Sequence, residues 1–153
     1  MGTKGVVVGQ VAEVCPHPGG ERIWLADVDV GTDYRPRIVW GGVPIVVKGS
    51  LVPVAQPGTW LPPTKSKPAP YKIRCRNYRG VRSEGMLCSL AELGWDSSVT
   101  DWVALLKDSV GLRVGESLDE RFVDWKRIVV PEADFLRAAQ ITVPEPGKVL
   151  QTA

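Results

Sequence analysis

A chain of 153 residues, 44% hydrophobic and 24% charged, has the size and balance of one globular domain with a small appendage and needs no disulfide or metal to build a core. Its three cysteines, Cys15, Cys75 and Cys88, are odd in number and form no CxxC pair, which argues against a disulfide framework and suits a reducing compartment. The net charge of +2 conceals a segregation: no Asp or Glu lies between Tyr34 and Ser83, yet ten of the 19 basic residues do, leaving nine against all 17 acidic residues elsewhere.

That acid-free window holds Arg35, Arg37, Lys48, Lys65, Lys67, Lys72, Arg74, Arg76, Arg79 and Arg82. It predicts a face that binds a polyanion, with a solvated basic loop as the plainer alternative. The N-terminal "MGTKGVVVGQVAEV" has too short an apolar run for a signal peptide or a membrane span. Val6 stands where a myristoylation signal has Ser or Thr. The reading is a cytoplasmic protein with no membrane partner.

In chain order, residues 6–15 and 23–30 read as short β-rich strands separated by "PHPGGER". "GTDY" (31–34) reads as a hairpin turn into "RPRIVW". "SLVPVA" (50–55) and "YKIRCRNY" (71–78) are two further strands, with the proline-rich loop "QPGTWLPPTKSKPAP" between them. Five short strands joined by Gly and Pro suggest a small barrel or sandwich. Ser89 and Glu92 have capping-box spacing and Gly94 suits a helix end, so "SLAEL" reads as one or two helical turns. "WVALL" (102–106) is a sixth strand or extended edge, and "DSVGLRVGESL" a closing loop. Pro131, Glu132 and Asp134 mark a helix start in "VPEADFLRAA", followed by an extended tail.

Period-two alternation in 71–78 places Lys72, Arg74, Arg76 and Tyr78 on one face and Ile73, Cys75 and Asn77 on the other. Cations that track phosphates beside an aromatic ring suit nucleic acid, and Arg79 and Arg82 extend the stripe. An edge strand using cations to block aggregation is the alternative. Among six tryptophans, Trp24 reads as core. Trp40 and Trp60 are candidates for stacking on bases or for packing. Trp95, Trp102 and Trp125 read as structural or interface residues.

Enzymatic readings find little support. The lone His17 sits between prolines and reads as a turn residue. With Cys15 it makes only two ligands, so no metal and no cofactor is expected. Cys88 reads as packing and not as a nucleophile. No phosphate loop, dinucleotide motif or paired carboxylate stands out.

The pieces "VGQVAEVCPHPGGERIWLADVDVG", "IVWGG", "LVPVAQPGTWLP" and "RGVRSEGMLCSLAELG" resemble, in order, the tRNA-binding domain of bacterial phenylalanyl-tRNA synthetase β chains. The same domain ends many methionyl-tRNA synthetases and occurs as free-standing tRNA-binding proteins. The likeness runs from about Val6 to Leu118. It implies a mainly β, five-stranded OB-fold barrel over residues 1–118. Residues 119–153 would be a C-terminal extension, a short helix plus tail, on the barrel or at a dimer interface. It implies non-catalytic binding of structured tRNA, assistance to an aminoacyl-tRNA synthetase in trans, and a homodimer or an extension replacing the second copy. By similarity Lys72, Arg74, Arg79, Gly80, Ser83, Gly85 and Met86 lie on or beside the RNA surface. The expected RNA-binding site is Lys65, Lys67, Lys72, Arg74, Arg76, Tyr78, Arg79, Arg82, Ser83, Met86 and Trp40, with Gly80 and Gly85 shaping the turn beside it. Two departures stand out: Trp40 and Pro44 replace the family's cysteine and asparagine, and "PPTKSKPAP" is longer and more basic than usual. A chaperone-like protein-interaction module and a sequence-tolerant single-strand binder are the competing readings.

Overall fold

A computed structural model describes residues 4–42, 45–97, 102–131 and 134. The molecule is organised by one long strand, β1 (Lys4–Pro16), which serves two partners in turn. Its first half pairs antiparallel with β4 (Leu51–Leu61), matching Val8 with Pro53. Its second half pairs with β2 (Ile23–Asp29), matching Val14 with Ala26. The changeover falls at Gln10, which pairs with both Leu51 and Asp29; at its neighbour Gly9 a Cβ would stand 2.6 Å from Val54 Cγ2 and 2.7 Å from Val28 Cγ1. Two valines from the flanking strands fill the space a side chain would need. A register irregularity between Val11 and Glu13 follows directly and bends the strand further.

β3 (Arg37–Gly41) continues the sheet beyond β2. On the other side β4 carries both β5 (Tyr71–Lys72), at its far end, and β8 (Met86–Leu87), at Val54 and Ala55. The order is therefore β3-β2-β1-β4-β5, with β8 also on β4. The two edges meet through "SEG". Glu84 N donates to Arg37 O at 2.8 Å. Ser83 Oγ accepts from Val39 N at 2.9 Å and donates to Gly85 O at 3.1 Å. Gly85 has φ +142°, and a Cβ there would stand 2.8 Å from Ala55 O, so only glycine brings the chain this close to β4. The result is a curled, OB-like β-barrel. Val6, Val8, Val28, Ile38, Val52 and Val54 are fully buried within it, each contributing about 1.5–3 kcal/mol by leaving water.

The remaining described chain wraps one end of the barrel. Ala104 N bonds to Cys88 O and Leu106 N to Leu51 O, both at 2.9 Å, so "WVALL" is an extended edge held by single bridges. Asp119 Oδ1 accepts from Gly5 N at 2.8 Å and Val6 N at 3.1 Å. A one-turn helix α1 (Trp125–Ile128) leads into Val129, which bridges Leu106. Ile128 and Val129 are buried in the same core as Val6 and Leu93. Among the described residues no helix is long and apolar enough to cross a membrane.

Several local expectations change. β4 runs to Leu61, so the first part of the expected loop is strand. "SLAEL" makes a single turn and no helix, although its capping box forms in full: Ser89 N donates to Glu92 Oε1 at 2.8 Å and Glu92 N to Ser89 Oγ at 3.1 Å. The expected helix of 130–139 lies largely outside the described residues, as does Pro44.

Candidate nucleic-acid interface

The expected strand 71–78 is broken. Ile73 is buried, and its backbone pairs with the barrel: Ile73 N donates to Thr59 O at 2.8 Å and Gly58 N to Ile73 O at 2.7 Å. Beyond Ile73 the chain leaves the sheet and forms a separate hairpin, β6 (Arg76–Tyr78) with β7 (Val81–Ser83). Both faces of this ribbon reach solvent through β6, so Asn77 is exposed along with Arg76 and Tyr78. The two-face sorting of 71–78 is corrected accordingly, because it assumed one sheet with one buried side.

The hairpin tip is a two-residue turn with Arg79 at φ +51° and Gly80 at φ +89°, the paired left-handed conformation that matches strand twist. Arg74, Arg76, Arg79 and Arg82 are all exposed. Arg79 Nη1 donates to Gly19 O at 2.8 Å. The 64–67 loop closes on itself, with Thr64 N bonded to Lys67 O at 2.7 Å, and exposes Lys65 and Lys67. Lys67 Nζ lies 3.5 Å from the Tyr71 ring centroid, and the Arg76 guanidinium lies 6.0 Å from the same ring. Lys72 Nζ lies 5.8 Å from the Trp60 ring, which is 51% exposed. Each such contact contributes about 0.5–1 kcal/mol at the surface. They also lay cations and aromatic faces side by side.

Charge pairing separates the window in two. Arg37 pairs with Asp27 at 3.1 Å and Lys48 with Glu13 at 3.4 Å. Among the described residues no carboxylate lies within ion-pair distance of Arg35, Lys65, Lys67, Lys72, Arg74, Arg76, Arg79 or Arg82. A groove of about 560 Å³ runs beside the hairpin, lined by Tyr34, Arg35, Arg37, Arg82 and Glu84 among others. Glu84, the first acid after the window, lines this groove along with Glu13 and Asp27. Its carboxylate accepts from Tyr34 Oη at 2.6 and 2.8 Å and from Arg37 N at 3.2 Å. The Glu84 bond raises the Tyr34 hydroxyl above its ordinary pKa, and the bond to Asp27 does the same for Arg37.

Two expected site residues are corrected outright. Ser83 is 2% exposed, with its hydroxyl bonded inside the barrel closure, so it presents nothing to a ligand. Trp40 is 7% exposed, pairs across strands with Trp24 and packs with Val28, Ile38 and Val52; it is unavailable for stacking on a base. Met86 is half-buried against the core that holds Val6, Leu90 and Leu93. Cys88 is buried, and burial pushes its thiol well above the ordinary value. Sequence reasoning missed His17, which is 3% exposed and hydrogen-bonded to the base of the hairpin turn. The one available signal was the Gly19-Gly20 pair behind it, which permits close approach of another backbone.

A model of the family described as "Putative tRNA binding domain" matches residues 6–110. The chain belongs to that family. Over 118 residues this tRNA-binding domain is 39% identical to the phenylalanine–tRNA ligase β subunit of Burkholderia lata, covering 76% of the chain and 14% of that protein. Over 95 residues it is 47% identical to the corresponding subunit of Prochlorococcus marinus, covering 62% of the chain and 11% of that protein. The chain thus spans a small fraction of the length of the curated relatives it matches. Among solved structures, the C-terminal domain of Plasmodium vivax p43 aligns with a TM-score of 0.47 and 21% identity, over 72% of the chain and 56% of that domain.

Proposed function

We propose that this tRNA-binding domain holds folded tRNA by its backbone through the β6–β7 hairpin and the adjoining lysine loop, and that it performs no chemistry itself. The observation that carries this reading is the set of exposed cations, Arg74, Arg76, Arg79 and Arg82 with Lys65 and Lys67 beside them, that have no carboxylate within ion-pair distance among the described residues. Phosphates supply the missing counter-charge, and the exposed Trp60 and Tyr78 offer faces to unpaired bases. The similarity to phenylalanine–tRNA ligase β subunits supports a role beside an aminoacyl-tRNA synthetase, delivering or retaining tRNA for aminoacylation in trans. The exposed Phe122 and Val123 support a protein contact as well, with a synthetase chain or a second copy of this chain as its occupant.

The test is titration of tRNA against the wild type and a Lys72→Ala, Arg74→Ala, Arg76→Ala variant at several salt concentrations. The wild type is expected to weaken steeply with salt. The variant is expected to bind less tightly, with a salt slope shallower by roughly 0.9 for each phosphate it no longer neutralises. Equal affinity and equal slope for the two proteins would remove these residues from the interface. Competition with oligo-dT separates recognition of folded tRNA from general single-strand binding.

A further inference from the structure

The β1–β2 loop and the β6–β7 hairpin are distant in sequence, and the OB architecture places such loops on either side of the ligand-binding face. Here they are tied together. His17 Nε2 lies 2.8 Å from Tyr78 O, across a separation of 61 residues. Arg79 Nη1 reaches Gly19 O at 2.8 Å. Within the loop, Gly19 N donates to His17 Nδ1 at 2.7 Å. A carbonyl oxygen only accepts and a backbone N–H only donates, so one form of the ring satisfies both contacts: neutral, with its hydrogen on Nε2. A second proton on Nδ1 would set two donors against each other at a buried position.

The glycines leave room for the ring and for the start of β2: a Cβ on Gly19 would press on the imidazole, 3.2 Å from His17 Cε1, and one on Gly20 would stand 2.6 Å from Ile23 Cδ1. The hairpin needs such an anchor. It is a two-stranded ribbon outside the main sheet, a structure of marginal stability alone, and Arg79 adopts a left-handed conformation disfavoured for a residue with a Cβ. Among the described residues, the bonds that tie its tip to the barrel are those from His17 and Arg79.

We propose that His17 is a positioning residue for recognition of the RNA phosphate backbone. Its neutral imidazole fixes the hairpin tip, so that Arg76, Arg79 and Arg82 meet the ligand as a set already ordered. Ordering them in advance removes a conformational cost that binding would otherwise bear. This role rests on the RNA interface proposed above, and it adds a residue that touches no RNA itself.

Two substitutions divide the imidazole's functions. His17→Asn keeps an acceptor for Gly19 N but cannot reach Tyr78. His17→Gln keeps a donor that reaches Tyr78 O and loses the acceptor. Each is measured for tRNA affinity, for thermal stability, and, without RNA, for amide hydrogen exchange across residues 76–82. His17→Asn is expected to accelerate exchange in the hairpin and weaken tRNA binding on the order of 3- to 10-fold, the scale of one hydrogen bond. His17→Gln is expected to restore most of both. Should His17→Asn fail to fold, Gly19→Ala, which crowds the ring, is expected to show the same exchange and affinity changes. Unchanged exchange with normal salt-dependent binding in His17→Asn would overturn the role of His17 and leave the RNA interface standing. Equal weakening in the Asn and Gln variants, both natively folded, would also overturn it. A wild type that binds no tRNA, whatever the exchange in the variants, would instead overturn the interface, and this role with it.

Discussion

Replacing Ser83 with alanine isolates the closure of the barrel. The hydroxyl accepts from Val39 N at 2.9 Å and donates to Gly85 O at 3.1 Å, and the residue is 2% exposed. Alanine leaves the Val39 N–H on the edge of β3 buried without its acceptor, at a cost of about 1–3 kcal/mol. For a chain of this length, each kcal/mol lowers the unfolding midpoint by roughly 2–4 °C. The expected loss is therefore about 2–12 °C, read by circular dichroism melts and checked by urea unfolding with an unchanged m-value. Affinity for tRNA, measured well below the midpoint, is expected to stay within about twofold of wild type, because the hydroxyl faces inward. A variant that melts like wild type and loses tRNA binding would refute the reasoning twice over. It would show that the hydroxyl does not close the barrel and that it does reach the ligand.

Gly9→Ala tests the packing of β1 beside its changeover between partners. A methyl group 2.6 Å from Val54 and 2.7 Å from Val28 overpacks the barrel, with an expected cost of about 1–3 kcal/mol in chemical denaturation. Adding Val28→Ala is expected to return part of it, and full stability in the single variant would show that β1 has room to spare. Glu92 offers a pH test. Burial raises its carboxyl above the ordinary glutamate value, against the bonds from Ser89 that favour the charged form. The folded state therefore keeps a proton the unfolded state has lost, and the contribution to stability falls as pH rises from the ordinary glutamate range through the raised value. Glu92→Gln, which can still accept from Ser89 N, is expected to flatten that fall. A wild-type minus variant difference in midpoint that grows with pH would contradict the sign.

The barrel strands are legible in the sequence because their apolar residues repeat locally. Val6, Val8, Val52 and Val54 sit in short β-branched, apolar runs that read as strands, and turn residues bound the runs. The 71–78 segment defeats a period-two reading for a tertiary reason: the alternation holds only while the chain stays in one sheet, and Ile73 anchors it where the hairpin departs. Ser83 and Trp40 carry the residue types of a binding site, but their partners, Val39 and Trp24, lie on strands that meet them only in the folded barrel. The capping box at Ser89 is readable down to its reciprocal bonds, and so is the stop after one cycle, where Gly94 turns left-handed at φ +75° and Trp95 N bonds back to Leu90 O at 2.9 Å. His17 shows the limit most clearly, since both its prolines and its glycines are local while Tyr78 is not. The cationic window is legible because acids are missing from the sequence itself. Which of its cations are paired is not, since Asp27 and Glu13 reach Arg37 and Lys48 from other strands.

The position of the hairpin has one further consequence. It is inserted into what would otherwise be a single closing strand, between Ile73, bonded to Thr59 and Gly58, and Ser83, bonded to Val39. Both anchors belong to the barrel, and the tip between them is held by the bonds of Tyr78 O and Arg79 to the β1–β2 loop. The closure bonds are made by backbone groups and by Ser83, none of them an exposed cation of the insert. Charges on the hairpin can therefore be changed to suit another polyanion without disturbing the bonds that close the barrel.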